Sequence, residues 1–248
     1  MENQMIQYHP EYNLYPDVII VDEHNPTVRA PRAVLDLQMN QTRESLADPD
    51  TFKSFVKSSE RQFRASREYK AYKSYLMDSL GLDRCQILGN VSNEDADIEL
   101  HHNVLGLFDI ATMITLHMVN TVGSINTMQL IQLLIIEHYN NRVGVTFLSK
   151  TAHQIYTNDL NGYIPPEQTF GKWWELLGLY KYGITFDIAY KVINYLKKYQ
   201  NQMPVSINLE QQEEILSWAS YNTYGEPMQY LPAMYNKNEN QGDMYYEY

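Results

Sequence analysis

Cysteine and long apolar runs are almost missing from this chain of 248 residues. Cys85 is the single cysteine, which excludes an internal disulfide and a multi-cysteine zinc knuckle within one chain. The longest stretch without a formal charge, 110–136, contains His117 and Gly123 and predicts two short helices rather than a membrane span. No charged and then apolar leader stands at the first residues, so we expect a soluble, intracellular globular protein with no membrane partner.

Basic side chains are also scarce, and they are unevenly distributed. The 19 lysines and arginines against 30 carboxylates give a net charge of −11, which argues against non-specific coating of nucleic acid. Residues 85–141 contain no lysine or arginine, whereas residues 51–84 carry an excess of basic side chains. There, Asp48 and Pro49 predict the start of a helix, along which runs a basic stripe of Lys53, Lys57, Arg61 and Arg64. The stripe is either a solvated helix face or a surface that contacts DNA phosphates.

The pattern of apolar and turn-forming residues predicts an α+β fold that is mostly helical. Two strand-like runs, 84–91 and 96–104, are expected to form a β-hairpin, and helices are expected to follow it. No glycine-rich phosphate loop and no Gly-x-Ser-x-Gly sequence occurs, so nucleotide-binding and serine-hydrolase folds have no support. The predicted segments are an extended N-terminal arm (1–47), a basic amphipathic helical segment (48–83), a core (84–180) with a helical insertion (105–139), C-terminal helices (181–220) and an extended tail (221–248).

The last 28 residues, 221–248, differ in composition from the rest. They contain seven of the 21 tyrosines, four asparagines and two prolines, and they show no helical periodicity. Such a segment needs a surface to lie on if it is to be ordered. We therefore expect this tyrosine-rich tail to bind other copies of the chain or other structural proteins, or else to pack on its own domain.

Histidines at two places in the core could carry chemistry. The pair His101 and His102 ends a predicted strand, where adjacent side chains point to opposite sides. His153 lies in the helix that follows a second β-prone run at 143–148. His117 and His138 lie in apolar helical stretches and are interpreted as packed core or interface residues.

This arrangement resembles the HNH (ββα-metal) endonuclease family, especially its phage-encoded branch. The resemblance covers about residues 84–180 and rests on four strings: Ile98-Glu99-Leu100-His101-His102, Val143-Gly144-Val145-Thr146-Phe147-Leu148-Ser149-Lys150-Thr151-Ala152-His153, Gly162-Tyr163-Ile164-Pro165-Pro166, and Phe170-Gly171-Lys172-Trp173. It implies a small ββα-metal core of β-hairpin and helix, and DNA as a partner.

The resemblance also implies roles for individual residues. His101 and His153 would hold one divalent metal ion (Mn, Ni, Zn or Mg), and His102 would be the general base in phosphodiester cleavage. Asn140 or Asn141 would orient the catalytic hairpin. If the metal site forms, the two metal-binding imidazoles should lie within about 4–5 Å of each other.

Two functions follow from these observations. The first is metal-dependent cleavage or nicking of DNA in the host cytoplasm during infection. The second is a catalytically decayed structural component of a phage virion, such as a head–tail connector, ring or tail-associated protein, with no metal. Thr157 supports the second, because many members of the resembled family have a second helix histidine at that position. So do the acidic net charge and the tyrosine-rich tail.

Overall fold

The computed structural model describes residues 39–158, 164–199 and 217, and these belong, apart from Met39, to one unit, Asn40–Tyr248. The expectations for residues 1–38 and for the tyrosine-rich tail lie outside the described residues. Within the described ranges the fold is α+β and mostly helical, as predicted, with two small antiparallel sheets. No helix among the described residues is long and apolar enough to cross a membrane.

The basic segment folds into two consecutive helices. Helix α1 (Pro49–Ala65) begins where the sequence predicts, because Asp48 Oδ2 accepts hydrogen bonds from the backbone N–H and the hydroxyl of Thr51. It ends at Ser66, whose hydroxyl caps helix α2 (Arg67–Ser74) by accepting from Tyr69 N. A π-helical turn, Tyr75–Ser79, follows.

Two apolar helices form the centre of the core. Helix α3 (Leu107–Thr121) and helix α4 (Thr127–Tyr139) pack against each other and against α1. Asn126 starts α4 with a capping box in which its side chain and that of Gln129 each bind the other's backbone N–H. Strands β1 (Gln41–Thr42) and β3 (Ser124–Ile125) form a two-stranded antiparallel sheet, with two residues in each strand, beside these helices.

The second sheet joins strands that are far apart in the sequence. Strand β2 (Ile98–His102) pairs antiparallel with strand β4 (Val145–Ser149). The predicted hairpin between runs 84–91 and 96–104 is therefore wrong. Among the described residues, Arg84 forms an isolated bridge with Ser92, which lies in the segment between the two runs. The free edge of β4 is occupied instead by Phe170 and by the Gln86 N–H, which donates to the Phe147 carbonyl. All five residues of β4 are buried, so this strand is packed on both faces of the sheet.

Helix α5 (Lys150–Asn158) follows β4 directly, so two strands and a helix meet although residues 103–144 separate the strands. Further along are a 3₁₀ turn (Pro166–Gln168), helix α6 (Trp173–Leu179), a second 3₁₀ turn (Lys181–Gly183) and helix α7 (Phe186–Tyr199). Gly183 lies so close to α3 that a Cβ atom there would overlap the carbonyl oxygen of Met113. This close approach fixes the second 3₁₀ turn against the central helix.

Candidate functional site

The outward-facing residues of β2 meet helix α5. Glu99 and His101 are two positions apart and therefore share one face of the strand. The His101 and His153 rings lie with their centroids 4.9 Å apart, and His153 Nδ1 is 2.5 Å from Glu99 Oε2. The structure thus brings together the two predicted metal ligands and adds Glu99. Sequence reasoning missed Glu99, although the two-residue period of a strand could have placed it beside His101.

The electrostatic environment of His101 keeps its ring neutral. Burial, with smaller contributions from His153 and from the positive charge of Arg64, lowers the pKa of His101 to about 4. The His153 side chain is partly exposed, and its Nδ1 contacts the Glu99 carboxylate. The neutral His101 ring thus packs against His153, which is itself bound to Glu99.

These three side chains do not fit a divalent metal ion as they stand. Glu99 Oε2 is already bound to His153 Nδ1, which leaves His101, Nε2 of His153 and the second Glu99 oxygen as donors. Among residues 39–158 and 164–199, no group of three or more histidine, cysteine, aspartate or glutamate side chains could hold a metal ion.

His102 faces the opposite side of β2 and lies inside the core. Its Nε2 is 3.0 Å from Nε2 of His138, and His138 Nδ1 is 2.7 Å from the Leu134 carbonyl oxygen. A carbonyl can only accept, so Nδ1 of His138 carries the proton and its Nε2 accepts from the Nε2–H of His102. The surrounding rings are those of Phe63, Tyr69 and Tyr72.

Burial determines the charge of this histidine pair. It lowers the pKa of His138 to about 4, against a smaller opposing effect of the hydrogen bond to Leu134. It also lowers the pKa of His102 well below its usual value, together with the neighbouring His138 and Arg64 charges. Both rings are therefore neutral near pH 7, and the interpretation of His138 as a packed core residue is confirmed by its 1% exposure.

Comparison with known proteins identifies the family of this chain. A family model described as Bacteriophage G278-like virion protein matches residues 17–223. The chain belongs to this family. No curated protein and no solved structure matches it.

Membership of this virion protein family overturns the resemblance to HNH endonucleases. The strings around His101 and His153 do form a strand, a second strand and a helix, but the backbone outline alone does not establish an activity. The roles of His102 as general base and of His101 and His153 as metal ligands rested on that resemblance and lose this basis. In the virion protein His102 is 8% exposed and its Nε2 contacts His138.

Asn141 has a structural position in the virion protein. It adopts a left-handed backbone conformation, with φ of 55°, just after helix α4. Its N–H donates to the His138 carbonyl, and its own carbonyl accepts from Lys172 N. Asn140 is the residue that caps α4. Both asparagines therefore end the helix, and the backbone of Asn141 connects it to the segment before α6.

Sequence analysis also missed a buried carboxylate. Glu137 has no exposed side-chain surface, and its two oxygens bind Arg142 Nε (2.5 Å) and Nη2 (3.1 Å). The Tyr180 hydroxyl donates to the same carboxylate at 2.8 Å. Burial lowers the pKa of Arg142, but the hydrogen bonds and charge of Glu137 more than offset this, so the net direction is upward. The sequence signal for this buried ion pair is a glutamate inside an apolar helix, five residues before an arginine.

The basic stripe of the virion protein is on the solvent side of α1. The helix buries the residues Phe52, Phe55, Val56, Ser59 and Phe63. Lys53, Lys57, Arg61 and Arg64 are all exposed, and Arg64 pairs with Glu60 at 3.0 Å. The predicted amphipathic helix is thus confirmed, and DNA binding by the stripe stays a prediction.

The Glu99–His153 contact gives a test of the metal prediction. We expect a chelator to leave the unfolding temperature unchanged and Zn²⁺ to raise it by less than about 2 °C, because the carboxylate already binds one imidazole. Differential scanning calorimetry with EDTA, then with Zn²⁺ or Ni²⁺, measures this. A larger rise that disappears in His101→Gln would instead establish a metal site at this cluster.

Proposed function

We propose that this chain is a structural subunit of the phage particle that acts through contacts with other copies of itself or with other phage structural proteins. The observation that carries the proposal is the match to a virion protein family over residues 17–223. A repeated assembly such as a head–tail connector, a ring or a tail-associated structure fits such a subunit.

The internal bonding of the reactive side chains supports a structural role. His102 is bound to His138, Glu99 to His153, and Glu137 to Arg142 and Tyr180. The His102–His138 and Glu137 contacts lie inside the core, where polar groups that satisfy one another specify one arrangement of the surrounding elements. The Glu99–His153 contact is partly exposed and connects β2 to α5. In the described part of the chain, the titratable residues that sequence analysis singled out for catalysis therefore contribute to folding.

The composition of the tyrosine-rich tail supports contacts between subunits. Seven tyrosines in 28 residues supply rigid rings that cover apolar surface while the hydroxyls keep hydrogen-bond partners. The family match ends at residue 223, so nearly all of this tail lies outside the part that defines the family. We assign to the tail the role of a connecting arm between neighbouring subunits.

Removal of the tail tests this proposal. A chain that ends at Ser220 is expected to keep its helical circular dichroism spectrum and its cooperative unfolding. Its association should weaken by about 100-fold or more, since the loss of several buried tyrosines costs about 3 kcal/mol or more of binding energy. Sedimentation velocity over a concentration series measures the association constant of both chains.

A scrambled tail provides the matched control, because it keeps the length and composition of residues 221–248 but changes their order. Weak association of the scrambled chain would show that the sequence of the tail matters and not only its tyrosine content. Equal association of the full-length and shortened chains would contradict the role of the tail as a connecting arm. A full-length chain that is monomeric at all concentrations contradicts self-association altogether.

A further inference from the structure

The basic stripe of α1 is a compact cationic surface on an acidic protein. At about 100° of helix rotation per residue, Lys53, Lys57, Arg61 and Arg64 fall on one side, well away from the buried side of α1. Glu60 lies beside them and pairs with Arg64. Lys53, Lys57 and Arg61 form no ion pair with any residue in the described ranges.

The basic stripe lies in a chain that is otherwise acidic. The following segment, 85–141, has six carboxylates and no lysine or arginine, and the whole chain carries −11. Like charges placed along one helix face destabilise that helix by a few tenths of a kcal/mol per pair. A partner that neutralises the stripe would remove this repulsion.

The tyrosine-rich tail has the complementary chemistry. It carries four carboxylates, Glu226, Glu239, Asp243 and Glu247, against the single basic residue Lys237. Its tyrosine rings can also stack on arginine and lysine side chains by cation–π attraction. Carboxylates and aromatic rings together are the groups that a helix face of lysine and arginine binds.

We propose that the basic stripe of one subunit is the docking surface for the tyrosine-rich tail of a neighbouring subunit. This inference rests on the proposed function, because it names the surface that receives the connecting arm. Carboxylates of the tail form ion pairs with Lys53, Lys57 and Arg61, and tyrosine rings cover the aliphatic parts of these side chains. Association through this contact weakens as the salt concentration rises.

Charge reversal on both sides tests the contact in the full-length chain. The stripe variant is Lys53→Glu, Lys57→Glu, Arg61→Glu; the tail variant changes the four tail carboxylates to lysine. Each alone should weaken association by about ten-fold or more, because attraction becomes repulsion. The two sets combined should restore it to within about three-fold of the unchanged chain.

A control variant distinguishes the effect of where the charges lie from the effect of the net charge. Lys150, Lys172 and Lys197 are exposed lysines outside α1, and changing these three to glutamate alters the net charge by the same amount. This variant should associate like the unchanged chain in sedimentation velocity, at about 50 mM and about 300 mM NaCl. Circular dichroism confirms that each variant is folded.

Several results would overturn the proposal. Unchanged association of the stripe variant, or no recovery in the combined variant, refutes the docking surface. If removal of the tail still abolishes association, the proposed function stands and only the docking surface is lost. Recovery of the stripe variant by charge reversal in residues 1–38 would make that acidic segment the occupant. Loss of binding to labelled duplex DNA in the stripe variant, without a change in association, would make DNA the occupant.

Discussion

Replacing Arg142 with methionine is expected to lower the free energy of unfolding by about 3–5 kcal/mol, because it leaves a buried carboxylate without its cation. Glu137 is completely buried, and the Tyr180 hydroxyl alone cannot compensate its charge. Methionine keeps much of the arginine volume. The decrease in the free energy of unfolding therefore reflects the lost ion pair more than a new cavity. Urea unfolding followed by circular dichroism near pH 7.5 measures this change.

Two further variants make the interpretation specific. Arg64→Met removes an exposed ion pair with Glu60 and should cost less than about 1 kcal/mol. Tyr180→Phe removes one hydrogen bond to the same buried carboxylate and should cost about 1–3 kcal/mol. Equal losses of unfolding free energy in the two arginine variants would contradict the claim that the Glu137 ion pair stabilises the fold more because it is buried.

Acidification is the second change with a large expected effect. The pKa of His138 is about 4 in the folded chain because of burial, compared with about 6.5 in an unfolded one. The unfolded state therefore takes up a proton first, and the free energy of unfolding falls as the pH drops below about 6.5, then levels off below about 4. For His138 alone the difference amounts to about 3 kcal/mol.

Three other histidines add to this fall. Burial also lowers the pKa values of His101 and His117 to about 4, and that of His102 well below its usual value. We expect the free energy of unfolding to decrease by several kcal/mol between about pH 7 and pH 4.5. Urea unfolding at four or five pH values measures the slope.

A non-titrating substitution isolates the contribution of the histidine pair. His138→Gln lowers stability at neutral pH, but its pH-dependent loss should be smaller by about 2–3 kcal/mol, because one buried proton acceptor is gone. The slope is informative even if the variant is less stable at every pH. An unchanged slope would mean that His138 binds protons equally in the folded and unfolded states over this pH range.

Local sequence signals predict the helix starts because the atoms that decide them are neighbours. Asp48 with Thr51 forms the cap that the sequence predicts, and Asn126 with Gln129 forms another within one helical turn. The partner of strand β2 could not be found in this way. The turn-prone residues at 92–95 favour a hairpin, but burial of both faces of β4 outweighs that local preference.

The candidate site was only partly predictable for the same reason. The meeting of His101 and His153 was implied only by the resemblance to the endonuclease family, because the strand pairing predicted from the sequence pattern did not include β4. The His102–His138 contact joins residues that are 36 positions apart, and no spacing rule connects them. The short strings that resemble an endonuclease describe a backbone arrangement, and a backbone arrangement supports many functions.

The long separation between β2 and β4 has a consequence for the order in which the chain folds. Residues 103–144 must be brought into a closed loop before the strands can pair, which costs more chain entropy than a hairpin does. Helices α3 and α4 lie within this loop, so their local contacts can shorten it first. During synthesis β2 leaves the ribosome well before β4, and its hydrogen-bonding edge has no native partner until residues 145–149 follow. We therefore expect pairing of these strands to be a late event, and the unpaired β2 edge to be open to wrong association in the nascent chain until then.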